Sequence, residues 1–529
     1  MLNRLRNRVY GPADKAVIAL VAVVLVAALT FVAVTSFGGD DCGEGLEEAG
    51  GECVGVTAQA LPTDDPVLRG LIEAVARENA RVERDGKEPS DGKAPVPYVR
   101  LALMMPFAAD ATSAMTLDQI RRAVAGAHVG QLAANAEAGP HVQLLFANVG
   151  KDLKQSGPVI DRLSGMTDDE PPLLGTLGMP SSTTQSRQAI DVLSRHRIPS
   201  VGPVITSANM NAKYFFKTSP SNELFAQALR EHLAGIPGEH KGYLIADSRD
   251  QDVYSQNLRG VWLRYFEKDY GLGLLRQAYY LGVTGDEEGL PRRFSSAAEK
   301  ICVTGADTIF FAGRDHDLPH LVARMANEPS CRGAKPMRLV KIGIGLDPLL
   351  TTRDVTGQLQ DANITLVNAA SVDPRWWERG ERAPSGLDGF MKRFRPLERQ
   401  HKLGDRPLDD GYSIMYHDAF KVLGQALDKA FSDLNDGRKG GDEVLPTKDD
   451  IYNTMIDMGV VPTGNGAGCI TCVQGASGTF GFDDTPQTSK WPVCKAVPVI
   501  EFPRPAADPK AKAREDSRTF DEVLGKACP

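Results

Sequence analysis

The feature that most constrains this chain is an alternation of short apolar runs with helical stretches. It starts at Tyr98 and restarts after Pro220. The run YVRLALMMP over residues 98–106 reads as a buried strand, and residues 117–136 repeat apolar positions at helical spacing. Strands at 141–148, 172–178 and 198–204 alternate with helices at 156–163 and 186–196. Beyond FFKTSP (215–220), helices at 222–234, 255–270, 294–304 and 316–327 alternate with strands at 241–247, 274–280, 308–312 and 339–345. A strand at 365–372, helices at 387–401, 412–431 and 448–458, and strand-like runs at 475–482 and 497–502 complete the pattern. Strands separated by helices pair in parallel, with the crossover helices covering both sheet faces. The expected architecture is α/β, with two doubly wound Rossmann-like lobes.

The amino terminus sets the compartment. Residues 16–37 carry no charge and are long enough to cross a hydrocarbon core of about 30 Å as a helix. Arg4, Arg6, Arg8 and Lys15 precede them, and Asp40 and Asp41 follow. Basic residues stay on the cytoplasmic side, so residues 1–15 form a cytoplasmic tail and everything after Phe37 lies outside. The expected localisation is the cell membrane, single-pass, with the main domain extracytoplasmic. A cleaved signal peptide is the rival reading; its apolar core is usually shorter, about 7–15 residues, and ends in a small-residue site. No cysteine ends the run, which argues against a lipid anchor.

Residues 38–97, rich in Gly, Asp, Glu and Pro, read as an extracytoplasmic stalk and linker with one helical patch at 66–84. Lobe 1 is expected over 98–220 and again over 365–460. Lobe 2 is expected over 221–364 with return strands in 461–503, before a charged tail at 504–529. The net charge of −8 and the absence of a basic stripe with interleaved aromatics argue against nucleic acid.

Eight cysteines outside the cytoplasm are expected to oxidise in pairs. Cys42 with Cys53, and Cys302 with Cys331, are the expected pairs. Cys469, Cys472, Cys494 and Cys528 allow three connectivities. Cys469 and Cys472 have CxxC spacing, but no second CxxC or histidine pair completes a zinc site. A redox CxxC opens a helix, whereas these residues sit in a Gly-rich, strand-like stretch. His316 and His320 share a helix face without a third ligand nearby and read as surface residues. Asp168, Asp169 and Glu170, the pair Glu287 and Glu288, and the pair Asp409 and Asp410 read as solvated loop charges. No GxSxG, HExxH or phosphate-binding P-loop appears, so no catalytic residue, metal or cofactor is assigned and an enzyme is not expected.

Open α/β sheets hold ligands beyond the carboxyl ends of their strands. Three loops there are rich in hydroxyls and lead toward helices: PFAADATSAM (106–115), GMPSSTT (178–184) and VITSAN (204–209). Helix N-termini offer unpaired N–H donors and partial positive charge, which suit a carboxylate or phosphate. Plain N-capping is the alternative for each loop.

The order of elements from Tyr98 to about Phe502 resembles the type I periplasmic-binding-protein family, of the branched-chain amino-acid-binding kind. IRRAVAGAHVGQLAAN (120–135) resembles that family's first helix. The loop within 173–186 resembles its G-x-x-x-S-S, and IPSVGPVITS (198–207) its IP-x-I-x-x-x-x-T-S segment. YFFKTSP (214–220) resembles the crossover between lobes, YHDA (416–419) a helix start, and GASGTFGFD (475–483) a late strand. The resemblance implies two lobes joined by a hinge of about three crossings, with ligand bound between them. It implies ligand-binding roles for Ser181, Ser182, Thr183, Thr206 and Ser207 in lobe 1, with Phe107 shaping the pocket. In lobe 2 it implies Tyr254 covering the ligand and Asp347, in GIGLDP (343–348), pairing with an amino group. Asp347 also reads as a turn-forming Asp before Pro.

The function this implies is a membrane-tethered solute-binding protein that captures a small polar ligand, an amino acid or related carboxylate, for an ABC-type permease. The alternative is an extracellular sensor or protein-interaction module that reuses the same fold.

Overall fold

Alternate residues along each strand meet opposite helical layers, and this period of two builds the core. The computed structural model describes residues 42–529 except 88–93, 111–112, 114, 283–293, 332–334, 379, 381–382, 439–442, 460, 464–465, 469–470, 483–489, 494, 504–517 and 524–529. The expected membrane helix at 16–37 lies outside the described residues, and no described helix is long and apolar enough to cross a membrane. Residues Glu44–Pro529 make up one compact unit.

The first sheet contains β1 (Leu46–Ala49), β2 (Glu52–Thr57), β3 (Tyr98–Met105), β4 (His141–Asn148), β5 (Leu173–Gly178), β6 (Ser200–Gly202) and β7 (Phe215–Lys217). Their order is β1-β2-β4-β3-β5-β6-β7, and all pairings from β4 to β7 are parallel. The second sheet begins with β8 (Gly242–Asp247), β9 (Gln277–Tyr280), β10 (Thr308–Ala312), β11 (Met337–Ile342) and β12 (Ile364–Ala369). Small ribbons follow: β13 (Val461–Thr463) with β14 (Gly466–Gly468), then β15 (Val473–Gly475), β16 (Gly478–Phe482) and β17 (Pro492–Val493). Finally β18 (Ala496–Phe502) and β19 (Arg518–Val523) join the second sheet, in the order β19-β18-β12-β11-β10-β8-β9. Tyr243, Ile245, Ile309, Phe311 and Leu339 enter one core of this sheet. Leu244, Ala246, Phe310, Val340 and Ile342 enter the other. Both faces are therefore covered, as the crossover helices require.

The expected stalk is a correction. Residues 44–57 and 66–87 belong to lobe 1. Gly50 and Gly51, both at positive φ, close a two-residue hairpin between β1 and β2. β2 then pairs antiparallel with β4, setting Val56 against Ala147. The helix Pro66–Lys87 buries Leu68, Leu71, Ile72, Val75 and Val82. Its Asn79 side chain donates to Leu144 O at 2.9 Å and accepts from Leu144 N at 2.8 Å, so it reads as part of the sheet's hydrogen bonding. The glycines that suggested a loose linker are the residues a tight hairpin needs.

Three other boundaries shift. Residues 365–369, expected in lobe 1, belong to β12 inside the lobe 2 sheet, with Leu366 and Val367 entering its two cores. β15, expected among the lobe 2 return strands, packs on the helix Tyr412–Leu434, which itself packs on lobe 1. Asp418 secures the ribbon by accepting from Ala476 N at 2.6 Å and Ser477 N at 2.9 Å. The YHDA tetrapeptide thus lies within that helix and not at its start. The charged tail contains β19, antiparallel to β18.

The chain passes between lobes after β7, after β12 and before β18. Ser219 Oγ and Ser371 Oγ stand 3.2 Å apart across the first two passages. From the third, Lys495 Nζ donates to Thr218 O at 2.8 Å. Burial pushes Lys495 down to about 8, and nearby Asp418 opposes the shift. The Cys302–Cys331 disulfide forms as expected, with its Cα atoms 5.1 Å apart. Cys42, Cys53 and Cys472 are also disulfide-bonded. Cys469, Cys494 and Cys528 lie outside the described residues.

If residues 66–87 are integral to lobe 1, Leu71→Ala should cost about 2–5 kcal/mol in denaturant unfolding, as for other fully buried leucines. A loss below about 0.5 kcal/mol, the usual range for surface changes, would return this helix to the status of a stalk.

Candidate functional site

A cleft of about 1290 Å³ lies where loops after β5 and β6 meet loops after β8, β10 and β11. The lobe 1 wall begins at Gly178, whose φ is +132°; a Cβ there would stand 2.1 Å from Met104 O, so no other residue can make this turn. Met179 follows at φ +58°, an uncommon conformation for a residue with a side chain, and delivers Pro180–Thr183 to the cleft. Ser182 is 2% exposed, and its Oγ has no hydrogen-bond partner among the described residues. Thr183 spends its hydroxyl on the helix Thr184–Arg195, accepting from Ser186 N. Thr206 lines the cleft, while its carbonyl accepts from Asn222 N at 2.7 Å.

The lobe 2 wall centres on Arg314, immediately beyond β10. Its Nε donates to Asp252 Oδ2 at 2.8 Å and its Nη2 to Asp252 Oδ1 at 2.6 Å. Its Nη1 donates to Ser181 Oγ and its Nη2 to Ser182 O at 3.4 Å, both in lobe 1. Burial opposes the charge on Arg314, but Asp252 outweighs it and raises the guanidinium pKa. The guanidinium lies 4.8 Å from the centre of the Tyr254 ring. Tyr254 donates its hydroxyl proton to Ile342 O at 2.8 Å, and burial raises its pKa.

Asp347 accepts from Leu349 N at 2.9 Å, so the turn-forming reading is correct as far as it goes. The same residue also lines the cleft. Burial pushes its carboxyl up to about 7, aided by the neighbouring charges of Asp315 and Asp410. Lys341 is taken by Asp315, at 2.9 Å, and by Asn368, at 3.1 Å. Among the described residues no ion pair reaches Asp347.

A third side comes from residues far along the chain. Arg122 and Asp410 form a buried ion pair at 2.7 Å, and Tyr412 lines the cleft beside them. This corrects the reading of Asp409 and Asp410 as solvated charges: both are at most 3% exposed, and burial pushes Asp409 up to about 7 despite Arg406. His316 also lines the cleft and is only partly exposed, so it is not a plain surface residue.

Of the residues singled out from sequence, Ser181, Ser182, Thr183, Thr206, Tyr254 and Asp347 come together at this cleft. Two do not. Phe107 packs into the lobe 1 core, 5.4 Å from Phe146 in an edge-to-face contact. Ser207 is wholly buried and does not line the cleft. Arg314, Asp252, Arg122, Asp410 and Tyr412 were missed. Arg314 had a usable signal, because the loop after β10 also follows a strand's carboxyl end.

No protein-family model matches the sequence, and no curated protein is significantly similar to it. Solved structures are similar. One is an ABC transporter substrate-binding protein from Desulfitobacterium hafniense in complex with Leu, at 15% identity and TM-score 0.51, covering 80% of this chain and 99% of that one. Another is the branched-chain amino acid transporter substrate-binding protein LivJ from Streptococcus pneumoniae in complex with isoleucine, at 12% identity and TM-score 0.53, covering 80% and 100%. A third is a solute-binding protein from R. palustris in complex with benzoate, at 12% identity and TM-score 0.50, covering 82% and 99%. With its two sheets, its three passages between them and a cleft at their carboxyl ends, this chain has the type I periplasmic-binding-protein fold.

Proposed function

We propose that this chain is an extracytoplasmic solute-binding protein that captures a small amino acid-like ligand between its lobes and hands it to an ABC-type permease. The observation that carries the reading is the pairing of chemistries in one cleft. Ser182 offers a buried hydroxyl without a partner, beside the N-terminus of the helix Thr184–Arg195. Asp347 offers a carboxyl that, among the described residues, makes no ion pair. A carboxylate suits the first and an ammonium group the second. Proteins of like fold hold leucine, isoleucine and benzoate. An amino group on the ligand separates the first two from the third, and Asp347 favours it. Thr206 and the wall of Tyr254 complete the enclosure. Binding and lobe closure are the whole activity, with no bond made or broken. Residues 16–37 would tether the domain to the membrane surface where the permease sits.

Thermal melting of the full chain against a panel of amino acids, amides, sugars and aromatic acids tests this. A ligand at 100 times its Kd should stabilise the protein by about 2.7 kcal/mol. For a ligand that hits, Ser182→Ala and Asp347→Asn should each weaken binding by on the order of tenfold, the usual cost of a hydrogen bond to a charged group. A flat panel, or unchanged affinity in both variants, would overturn the reading.

The protonation of Asp347 adds a signature in pH. A carboxyl raised from an ordinary 3.8 to about 7 favours the folded state while protonated. That stability is full below about pH 4 and is lost as pH rises through 7. Asp347→Asn should flatten this part of the profile in chemical denaturation. Ligand affinity should run the other way, strengthening from pH 5 to 8 as the carboxylate forms. Calorimetric titration of wild type and variant would show both trends or exclude them.

A further inference from the structure

Arg314 belongs to lobe 2 by its strand, yet two of its contacts are in lobe 1. The partition of its donors is informative. A guanidinium carries five N–H groups in a fixed plane. Two are committed within lobe 2, to the two oxygens of Asp252. Asp252 is itself fixed, since it caps the helix Val253–Tyr270 by accepting from Ser255 N at 3.2 Å and also receives Ser255 Oγ at 3.1 Å. Although burial opposes it, Arg314 together with Arg249 holds the Asp252 carboxyl below its usual range. The guanidinium is therefore aimed by its own lobe, with Tyr254 beneath it.

Two of the remaining three donors cross to Ser181 Oγ and Ser182 O. Around this bridge the two lobes exchange main-chain bonds. Thr184 N donates to Gln251 O at 3.2 Å, and Tyr254 N donates to Ser182 O at 3.0 Å. The Gln185 side chain donates to Gln251 Oε1 at 3.0 Å. Separating the lobes breaks every one of these bonds but leaves the pair between Arg314 and Asp252 intact. A bridge of this kind opens without stranding a buried charge, because the charge keeps its partner in both states.

We propose that Arg314 is a positioning residue that latches the cleft: preorganised by Asp252, it grips Ser181 and Ser182 when the lobes meet and so sets both closure and the pose of the serine wall. The latch deepens the capture reading, since its value to the protein rests on ligand occupying that cleft. Its test needs no ligand.

Hydrogen exchange of the full chain, followed by mass spectrometry, reads the latch at two amides, Thr184 and Tyr254. Ser181→Ala removes the side-chain acceptor in lobe 1 and leaves the ion pair untouched. Arg314→Lys keeps a cation for Asp252 but loses the fork that spans to Ser181. Both variants should exchange faster at these two amides, by on the order of tenfold, the worth of a hydrogen bond to a charged group. Peptides covering β10, in the same lobe, should exchange as in wild type, and the Tm of Ser181→Ala should hold. Unchanged exchange at Thr184 and Tyr254 in both variants would overturn the latch. Equal acceleration throughout the chain would also overturn it, by reducing Arg314 to a structural role. Accelerated exchange together with a flat ligand panel would keep the latch and remove the capture reading.

Discussion

Lobe 1 depends on two helices that meet at almost no distance. Gly126, on the helix Leu117–Ala134, faces the backbone of Ser413, where a Cβ would stand 2.0 Å from the carbonyl oxygen. Gly130, one turn further on, lies under the ring of Phe420. Ser413 Oγ donates to Arg122 O at 2.9 Å, fastening segments 291 residues apart. Any side chain at Gly126 would push the helix Tyr412–Leu434 away. Arg122 would then lose Asp410, and Tyr412 would leave the cleft. The close packing of one helix pair therefore decides whether a third side of the cleft exists at all.

Charge in the cleft is arranged by commitment rather than by number. Arg122 is given to Asp410, Arg314 to Asp252, and Lys341 to Asp315 and Asn368. Each of these pairs is largely out of water, so removing one partner would strand the other. Asp347 stands outside the scheme. A carboxyl left over from a set of matched pairs is the part of the wall most able to respond to what enters. The hinge shows the opposite economy: Lys495 donates to Thr218 O and to Met415 Sδ, beside the ring of Phe480, and makes no ion pair among the described residues.

Periodicity made most of the architecture legible. The strands from Tyr98 to Gly178, and β8, β10 and β11, read directly, because buried parallel strands are apolar throughout. The run expected as a strand at 274–280 opens instead as a 3-10 turn at Leu274–Arg276, with Leu274 and Leu275 exposed, and only Gln277–Tyr280 pairs as β9. Residues 44–57 did not, because β1 and β2 are short and their glycines belong to a hairpin that composition cannot tell from a linker. β12 was found as a strand but assigned to the wrong lobe, since neighbours in a sheet are not read from order along the chain. At the site, the hydroxyl loops placed Ser182 and Thr206, and both line the cleft. Thr183 turned to capping, as any single Thr before a helix can. Phe107 was placed at the pocket by resemblance, and its burial against Phe146 shows how an aromatic after a strand can turn inward. Arg122 and Asp410 were beyond reach, because their partnership exists only after segments 288 residues apart have packed.

Tyr254 is held at both ends. Its hydroxyl is fixed on Ile342 O and its ring lies under Arg314. A side chain with both handles taken cannot swing to follow a guest. The back of the cleft is thus a fixed wall and not a flap. The depth of the cleft on this side is therefore set by the fold and not by its charges.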